Sequence, residues 1–129
     1  LTSIKQIIKL TPVTTVPRVP LFVLGIISLR GTIIPIFDLR RVLRLKAAES
    51  TRKSRIVIVA EGKYTVGLIV DEVEQVVRFP ENKVEPPPPV LTGGEAEFIK
   101  GIARVGGRMI ILLALDKILT PVATARPGV

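Results

Sequence analysis

The chain has 129 residues, a formal net charge of +8 at pH 7, and neither Cys nor His, which excludes disulfide bonds, thiolate metal sites and imidazole catalysis. No apolar stretch approaches the roughly 20 residues that span a bilayer and no signal peptide is visible, so we expect a cytoplasmic domain. Val and Ile number 33 against five aromatic residues, and frequent Pro and Gly interrupt the apolar runs, so the composition predicts an all-β fold.

The chain opens with apolar spacings that are typical of helices. Within residues 4–10, three isoleucines fall on one helical face, and Ser3 precedes them as a candidate N-cap. A similar spacing follows Asp71 and brings three valines together over residues 73–77. We therefore predict helices at 4–10 and after Asp71, each followed by a loop rich in Pro.

Three pairs of apolar runs predict three β-hairpins, because each pair flanks a short turn that contains Gly. The predicted strand pairs are 22–29 with 32–37, 55–60 with 64–70, and 98–105 with 108–115. Asp38 and Asp116 follow the first and third hairpins and are predicted to cap short helices at 39–43 and 117–119. The remaining residues, 120–129, are predicted to form a flexible tail.

The chain contains an internal duplication. At an offset of 76 residues, the first hairpin and its helix match the third in seven positions. The matched pairs are Phe22 with Phe98, Gly25 with Gly101, Ile26 with Ile102, Gly31 with Gly107, Ile34 with Ile110, Leu39 with Leu115, and Leu43 with Leu119. At an offset of 69 residues, 4–10 matches 73–79. The duplication predicts two similar lobes within one domain over 1–119, the first containing residues 10–45 and the second residues 55–115.

The two copies differ in one respect. The hairpin 55–70 precedes the second copy, and no equivalent hairpin precedes the first. We expect the first lobe to lack this N-terminal hairpin, which roughly 20 residues upstream of Leu1 would supply. A strand-swapped second copy of the chain is the alternative source.

Several motifs closely resemble those of the CheW-like chemotaxis coupling family. Residues 25–40, GIISLRGTIIPIFDLR, resemble the family stretch G-x-x-N-L-R-G-x-x-x-P-x-x-D-L-R, and residues 66–71, VGLIVD, resemble V-G-[IL]-V-V-D. Residues 97–119 are similar to the family's final hairpin and helix. The chain departs from the family at Ser28, where the family usually has Asn, in its basic charge and in the missing hairpin.

The resemblance implies an all-β fold of two intertwined five-stranded β-barrels of the SH3/OB type, with short helices and with strands swapped between the lobes. It implies a non-enzymatic adaptor without cofactor or metal, which couples the cytoplasmic tip of a chemoreceptor to the regulatory domain of a histidine kinase. Such adaptors lie in membrane-associated arrays without inserting into the membrane. A regulatory domain cut from the kinase itself stays open as an alternative, although the short tail favours a free-standing adaptor.

The resemblance places the receptor contacts near the groove between the barrels, at Ile4, Gln6, Ile56 and Val57. A receptor tip is a helical hairpin, and a helix docks by inserting apolar side chains into a groove with a polar rim. The three aliphatic residues are equally typical of a protein core, whereas Gln6 is expected to be exposed.

The turn of the first hairpin provides the main candidate for a kinase or array contact, Arg30. Its guanidinium can bind a carboxylate of a partner or, alternatively, an acid of the neighbouring lobe. Leu29 and Gly25 are further candidates by position only. Gly31 and Gly107 are predicted to serve the hairpin turns through their conformational freedom.

A nucleic-acid-binding module is the main alternative from another class. Residues 40–55 contain seven cations against Glu49, and a barrel of the OB type would suit phosphate contacts. Base stacking needs aromatic side chains on the sheet face, however, and the four Phe fall within apolar runs or beside a predicted helix. Residues 71–97 contain seven acids against two cations, and such a bipolar chain suits steering between protein partners. An enzyme is a further alternative, with Asp38, Asp71 and Asp116 as the candidate catalytic carboxylates. Each of them precedes a predicted helix and is interpreted as its N-cap.

Overall fold

In the computed structural model, which describes residues 2–46, 48–89 and 98–124, the chain is mostly β. The described strands are β1 (Thr2–Lys9), β2 (Val23–Leu29), β3 (Thr32–Asp38), β4 (Arg55–Glu61), β5 (Tyr64–Val70), β6 (Val84–Glu85), β7 (Ile99–Val105) and β8 (Arg108–Leu113). The described helices are α1 (Leu39–Val42) and α2 (Leu115–Thr124), and a 3₁₀ turn covers Glu81–Lys83. All three predicted hairpins are confirmed, as β2–β3, β4–β5 and β7–β8.

The described residues divide into two compact units, with boundaries between Glu74 and Gln75 and between Pro121 and Val122. The first unit contains a five-stranded sheet with the strand order β1-β4-β5-β3-β2, in which β3 and β5 run parallel and the other neighbours antiparallel. Its core is a cluster of isoleucines at positions 27, 34, 36, 56 and 58, which we call the isoleucine core. The second unit contains a three-stranded antiparallel sheet with the order β6-β7-β8.

The first segment is a strand and not the predicted helix. β1 pairs antiparallel with β4, and a β-bulge shifts the register between Ile4 and Gln6. The bulge adds one residue, so Ile4 and Ile7 project from the same face although they are three residues apart. This spacing imitates a helical period, and pairing with β4 outweighs it because β-branched residues favour the extended chain.

The predicted helix after Asp71 is also wrong, since residues 72–80 form no regular element. Val73 and Val76 are exposed, so the apolar period has no core to pack against. A helix this short is marginal in water without such packing. Asp71 does not cap a helix, and its carboxylate binds Arg40 instead.

The β4–β5 hairpin lies in the first sheet, where β4 pairs with β1 and β5 pairs with β3. We expected residues 55–70 in the second lobe and a first lobe that lacks a hairpin, but the first sheet has five strands and the second has three. The physical reason is that a central position buries both faces of this apolar hairpin, whereas sequence order alone groups it with the residues that follow. Both sheets are open within the described part of the chain, so barrel closure is not seen.

The first and third hairpins share a bulge that depends on glycine. The register shifts next to Gly25 in β2 and next to Gly101 in β7. A Cβ atom at Gly25 would collide with the backbone of Thr14, and one at Gly101 would lie 2.9 Å from the Glu85 carbonyl oxygen. In both hairpins a preceding segment therefore crosses the bulge so closely that only Gly fits.

The ends and turns of these two hairpins also correspond, which supports the duplication. The Asp38 N–H donates to the Phe22 carbonyl at 3.0 Å, and the equivalent Ala114 N–H donates to the Phe98 carbonyl at 2.7 Å. Each turn contains two consecutive residues with positive φ, as type I′ turns require. They are Arg30 and Gly31, with φ of 52° and 82°, and Gly106 and Gly107, with φ of 56° and 78°.

The two α helices follow these hairpins but differ in their caps. Asp38 caps α1 as predicted, since its Oδ1 accepts a hydrogen bond at 3.0 Å from the backbone N–H two residues on. Asp116 lies inside the first turn of α2 and is not its cap, because α2 begins at Leu115. The residue before the helix is Ala114, which is the equivalent of Asp38 in the duplication. α2 continues to Thr124, into the segment predicted as a tail, and residues 125–129 lie outside the described part of the chain.

Candidate partner-binding surfaces

The four predicted receptor-contact residues lie on the adjacent strands β1 and β4. Ile4 is 62% exposed and Gln6 is half-buried, whereas Ile56 is fully buried and Val57 is 9% exposed. Gln6 is less exposed than expected because it pairs with Ile58 on the core face of the sheet. Ile56 belongs to the isoleucine core, out of reach of a partner, so Ile4 is the member of the set that lies at the surface.

The exposed part of β1 forms an apolar stripe, which we define as Ile4 and Ile7 and call the β1 stripe. Ile7 is 42% exposed, and the two side chains share a face with their direct partners in β4, Val59 and Val57. Both partners are buried, so the stripe is the exposed margin of an otherwise buried apolar face. The sequence signal for Ile7 is its spacing of three from Ile4, which indicates a shared face of a strand only once the bulge is known.

Arg30 has an unusual backbone conformation. Its φ of 52° lies in the left-handed region, where a residue other than Gly costs about 1–2 kcal/mol. The third hairpin has Gly106 at the equivalent position, with a φ of 56°. The Arg30 side chain is exposed and forms no hydrogen bond or ion pair with any residue that the structure describes. An internal ion pair within the described residues therefore does not account for Arg30.

The other residues predicted around this turn have structural surroundings. Leu29 is half-buried and packs against the isoleucine core, and Gly25 is buried beneath the backbone of Thr14. Gly31 and Gly107 occupy turn positions with positive φ, as predicted. Of the three residues predicted for the kinase or array contact, Arg30 is the exposed one.

An exposed apolar residue lies just after the turn in both duplicated hairpins. Ile33 in β3 is 66% exposed, and Met109, its equivalent in β8, is 71% exposed. Each is paired across the hairpin with an exposed polar residue, Ile33 with Ser28 and Met109 with Arg104. Sequence patterns did not single out these two residues, although the offset of 76 aligns them. Their matched placement makes them candidate contacts in the two units.

A two-pronged ion pair joins Arg40, in α1, to Asp71, just after β5. Arg40 Nε donates to Asp71 Oδ1 at 2.9 Å, and Arg40 Nη2 donates to Asp71 Oδ2 at 2.6 Å. These hydrogen bonds lower the pKa of Asp71 and raise that of Arg40. A third donor, Arg40 Nη1, binds the Lys46 carbonyl at 3.1 Å. The Asp71 carboxylate is thus engaged in holding the chain after β5.

Other charged and aromatic side chains of the first unit also have internal partners. Lys53 Nζ lies 3.8 Å from the Glu72 carboxylate. Phe22 and Phe37 pack against each other with ring centroids 5.9 Å apart.

Among the described residues no group of three or more acidic side chains is placed to bind a metal ion. No helix in the described ranges is long and apolar enough to cross a membrane.

Similarity to known proteins covers almost the whole chain. A model of the CheW-like domain matches residues 1–122. The chain is 37% identical over 131 residues to the chemotaxis protein CheW of Thermotoga maritima, covering 98% of this chain and 82% of that protein. It is 35% identical over 116 residues to the chemotaxis protein CheW of Rhizobium meliloti, covering 90% and 75%.

Among solved structures, the scaffolding protein TtCheW from Thermoanaerobacter tengcongensis matches with a TM-score of 0.81 and 38% identity, over 91% of this chain and 80% of that chain. The fold, the motifs and the relatives therefore agree. The chain belongs to the CheW-like domain family.

Proposed function

We propose that the chain is a chemosensory adaptor, which links the tip of a chemoreceptor to the regulatory domain of a histidine kinase through protein contacts alone. The observation that carries this proposal is the match to the CheW-like domain over residues 1–122, together with relatives named as chemotaxis proteins and a similar structure described as a scaffolding protein. The adaptor acts without catalysis and works on the cytoplasmic side of the membrane, in receptor arrays.

The β1 stripe is the proposed receptor surface. Two neighbouring isoleucines at the margin of a buried apolar face offer a helix the apolar contacts that it needs for docking. Val57 is the direct cross-strand partner of Ile7 and lies beside the stripe, and Gln6 lies on the opposite face of the same strand. Ile56 contributes by holding β4 in the isoleucine core, and not by direct contact.

The turn of the β2–β3 hairpin is the proposed kinase contact. Arg30 occupies a conformation that Gly adopts at lower free energy, and its guanidinium has no described internal partner. Arg18 shares this conformation and exposure, and what distinguishes Arg30 is its place in the motif of residues 25–40 that resembles the family stretch. A carboxylate on the kinase regulatory domain suits this guanidinium, and Ile33 beside it adds an apolar contact.

A reconstitution tests the proposal. The chain is mixed with a chemoreceptor in membrane discs and with the full-length chemotaxis kinase, and kinase autophosphorylation is measured with and without the chain. We expect strong stimulation only when all three components are present. A kinase that is fully active without the chain would contradict the adaptor function, and tight binding of an oligonucleotide at physiological salt would favour the nucleic-acid alternative.

A further inference from the structure

The β1 stripe ends in two cations that lie side by side. Lys9 in β1 and Arg55 in β4 are directly opposite each other in the antiparallel pairing. Because successive side chains alternate between faces, Lys9 projects from the same face as Ile7, two residues earlier. Along one face of β1 the surface therefore changes from apolar, at Ile4 and Ile7, to cationic, at Lys9 and Arg55.

No acid neutralises this pair of cations within the described residues. Lys9 is exposed and forms no hydrogen bond or ion pair there. Arg55 Nη1 donates to the backbone carbonyls of Arg52 and Ser54 at 2.7 and 2.8 Å, which orients the guanidinium but leaves its charge uncompensated. Like charges directly opposite each other destabilise a sheet. Such a local conflict is typical of a functional site.

The spacing along this face fits a helix. In the register of β4, Ile4, Ile7 and Lys9 stand two residues apart, which is about 7 Å per step. Four residues of an α-helix rise about 6 Å. A helix aligned with β1 therefore brings apolar side chains at positions i and i+4 to the β1 stripe, and a side chain between two and three turns away from position i to the cations.

We propose that the occupant of this surface is an amphipathic helix of the receptor tip whose apolar stripe ends in a carboxylate, and that the carboxylate binds between Lys9 and Arg55. The inference rests on the proposed receptor surface and adds the charge that the helix must carry and where that charge lies relative to its apolar stripe. Pairing with the β1 strand of a second copy is disfavoured, because a bulge and the exposed Lys5 and Lys9 oppose edge-to-edge pairing.

The test uses Lys9→Glu in the full chain and a soluble helical-hairpin fragment of a chemoreceptor tip as the probe. We expect the dissociation constant to rise about tenfold, because an acid then faces the acid of the helix. The matched control is Lys5→Glu, the same charge change at the bulge of the same strand, and we expect less than about a twofold effect. Lys9→Glu should melt at or above the wild-type temperature, since it replaces a like-charge pair by an ion pair with Arg55.

A charge exchange completes the test. Each Asp and Glu of the receptor fragment is changed to Lys in turn, and we expect one of these fragments to bind Lys9→Glu more tightly than it binds the wild-type chain. Unchanged affinity of Lys9→Glu, while Ile4→Asp loses binding, would overturn the inference and leave the proposed receptor surface intact. Normal affinity of both variants would show that the receptor binds elsewhere, and a concentration-dependent dimer that Lys9→Glu alters would indicate a second copy as the occupant.

Discussion

At the scale of single residues, a substitution at Arg30 tests partner binding without affecting the fold. The Arg30→Gly variant removes the guanidinium and places at the turn the residue that the duplicated hairpin has at Gly106. We expect the free energy of unfolding to stay within about 1 kcal/mol of wild type, because relief of the left-handed strain offsets the greater freedom of the unfolded chain. Affinity for the kinase regulatory domain should fall about tenfold, as measured by calorimetry.

The control for this prediction is Arg18→Gly. Arg18 is also exposed and has a φ of 59°, so the chemical change and the backbone conformation are the same at a different place. Binding should be normal in this control. If both variants bind the kinase domain with wild-type affinity, the turn of the β2–β3 hairpin is not the contact.

Asp71 makes the stability depend on pH. Its hydrogen bonds with Arg40 lower its pKa in the folded state, so the contribution of the pair is fully present above the ordinary Asp value of about 3.9. It is lost as the pH falls through the lower, folded-state pKa. We expect the difference in melting temperature between wild type and Asp71→Asn to be constant near neutral pH and to shrink in acid. Glu49→Gln, which changes an exposed acid in the same unit, should show no such trend.

At the scale of elements, the bulge of β2 depends on Gly25. A Cβ atom there would meet the backbone of Thr14, which cannot move away as a flexible side chain can. We expect Gly25→Ala to lower the free energy of unfolding by about 2–3 kcal/mol in urea titrations, through overpacking and a strained φ of 148°.

Gly62→Ala is the matched control for this prediction. Gly62 also has a positive φ, of 58°, but nothing lies within 4 Å of an added Cβ atom, so only the backbone strain of about 1–2 kcal/mol remains. Equal losses in the two variants would show that the Thr14 backbone does not obstruct a Cβ atom at position 25.

At the scale of the whole molecule, the duplication provides two equivalent exposed residues as candidate contacts, Ile33 in one unit and Met109 in the other. A partner related to this chain that binds both makes heterologous contacts, which extend into rings or lattices. We expect the variants Ile33→Glu and Met109→Glu each to lose one of the two contacts and to retain the other. The kinase domain should therefore still bind, but light scattering should detect no large assemblies. Lys63→Glu, in the turn between β4 and β5, should assemble normally, and full-sized assemblies with either variant would contradict two-sided binding.

Local patterns in the sequence were enough to predict what depends on neighbouring residues. The three hairpins, the glycines in their turns and the cap at Asp38 follow from apolar alternation and from Gly or Asp at defined places. Repetition at a fixed offset predicted that the first and third hairpins would be similar, and in the structure they share a bulge and a turn with two positive φ angles. The motifs around residues 25–40 were sufficient to indicate the family.

Tertiary structure alone decided which strands are neighbours and which side chains are exposed. The bulge at Lys5 converts an apparent helical period into a strand, and the parallel pairing of β3 with β5 brings the β4–β5 hairpin into the first sheet. These outcomes depend on contacts between residues far apart in sequence, because the pairing of whole strands buries more apolar surface than any local period can. For the same reason Ile4 is exposed while Ile56 is buried, although both belong to similar apolar runs.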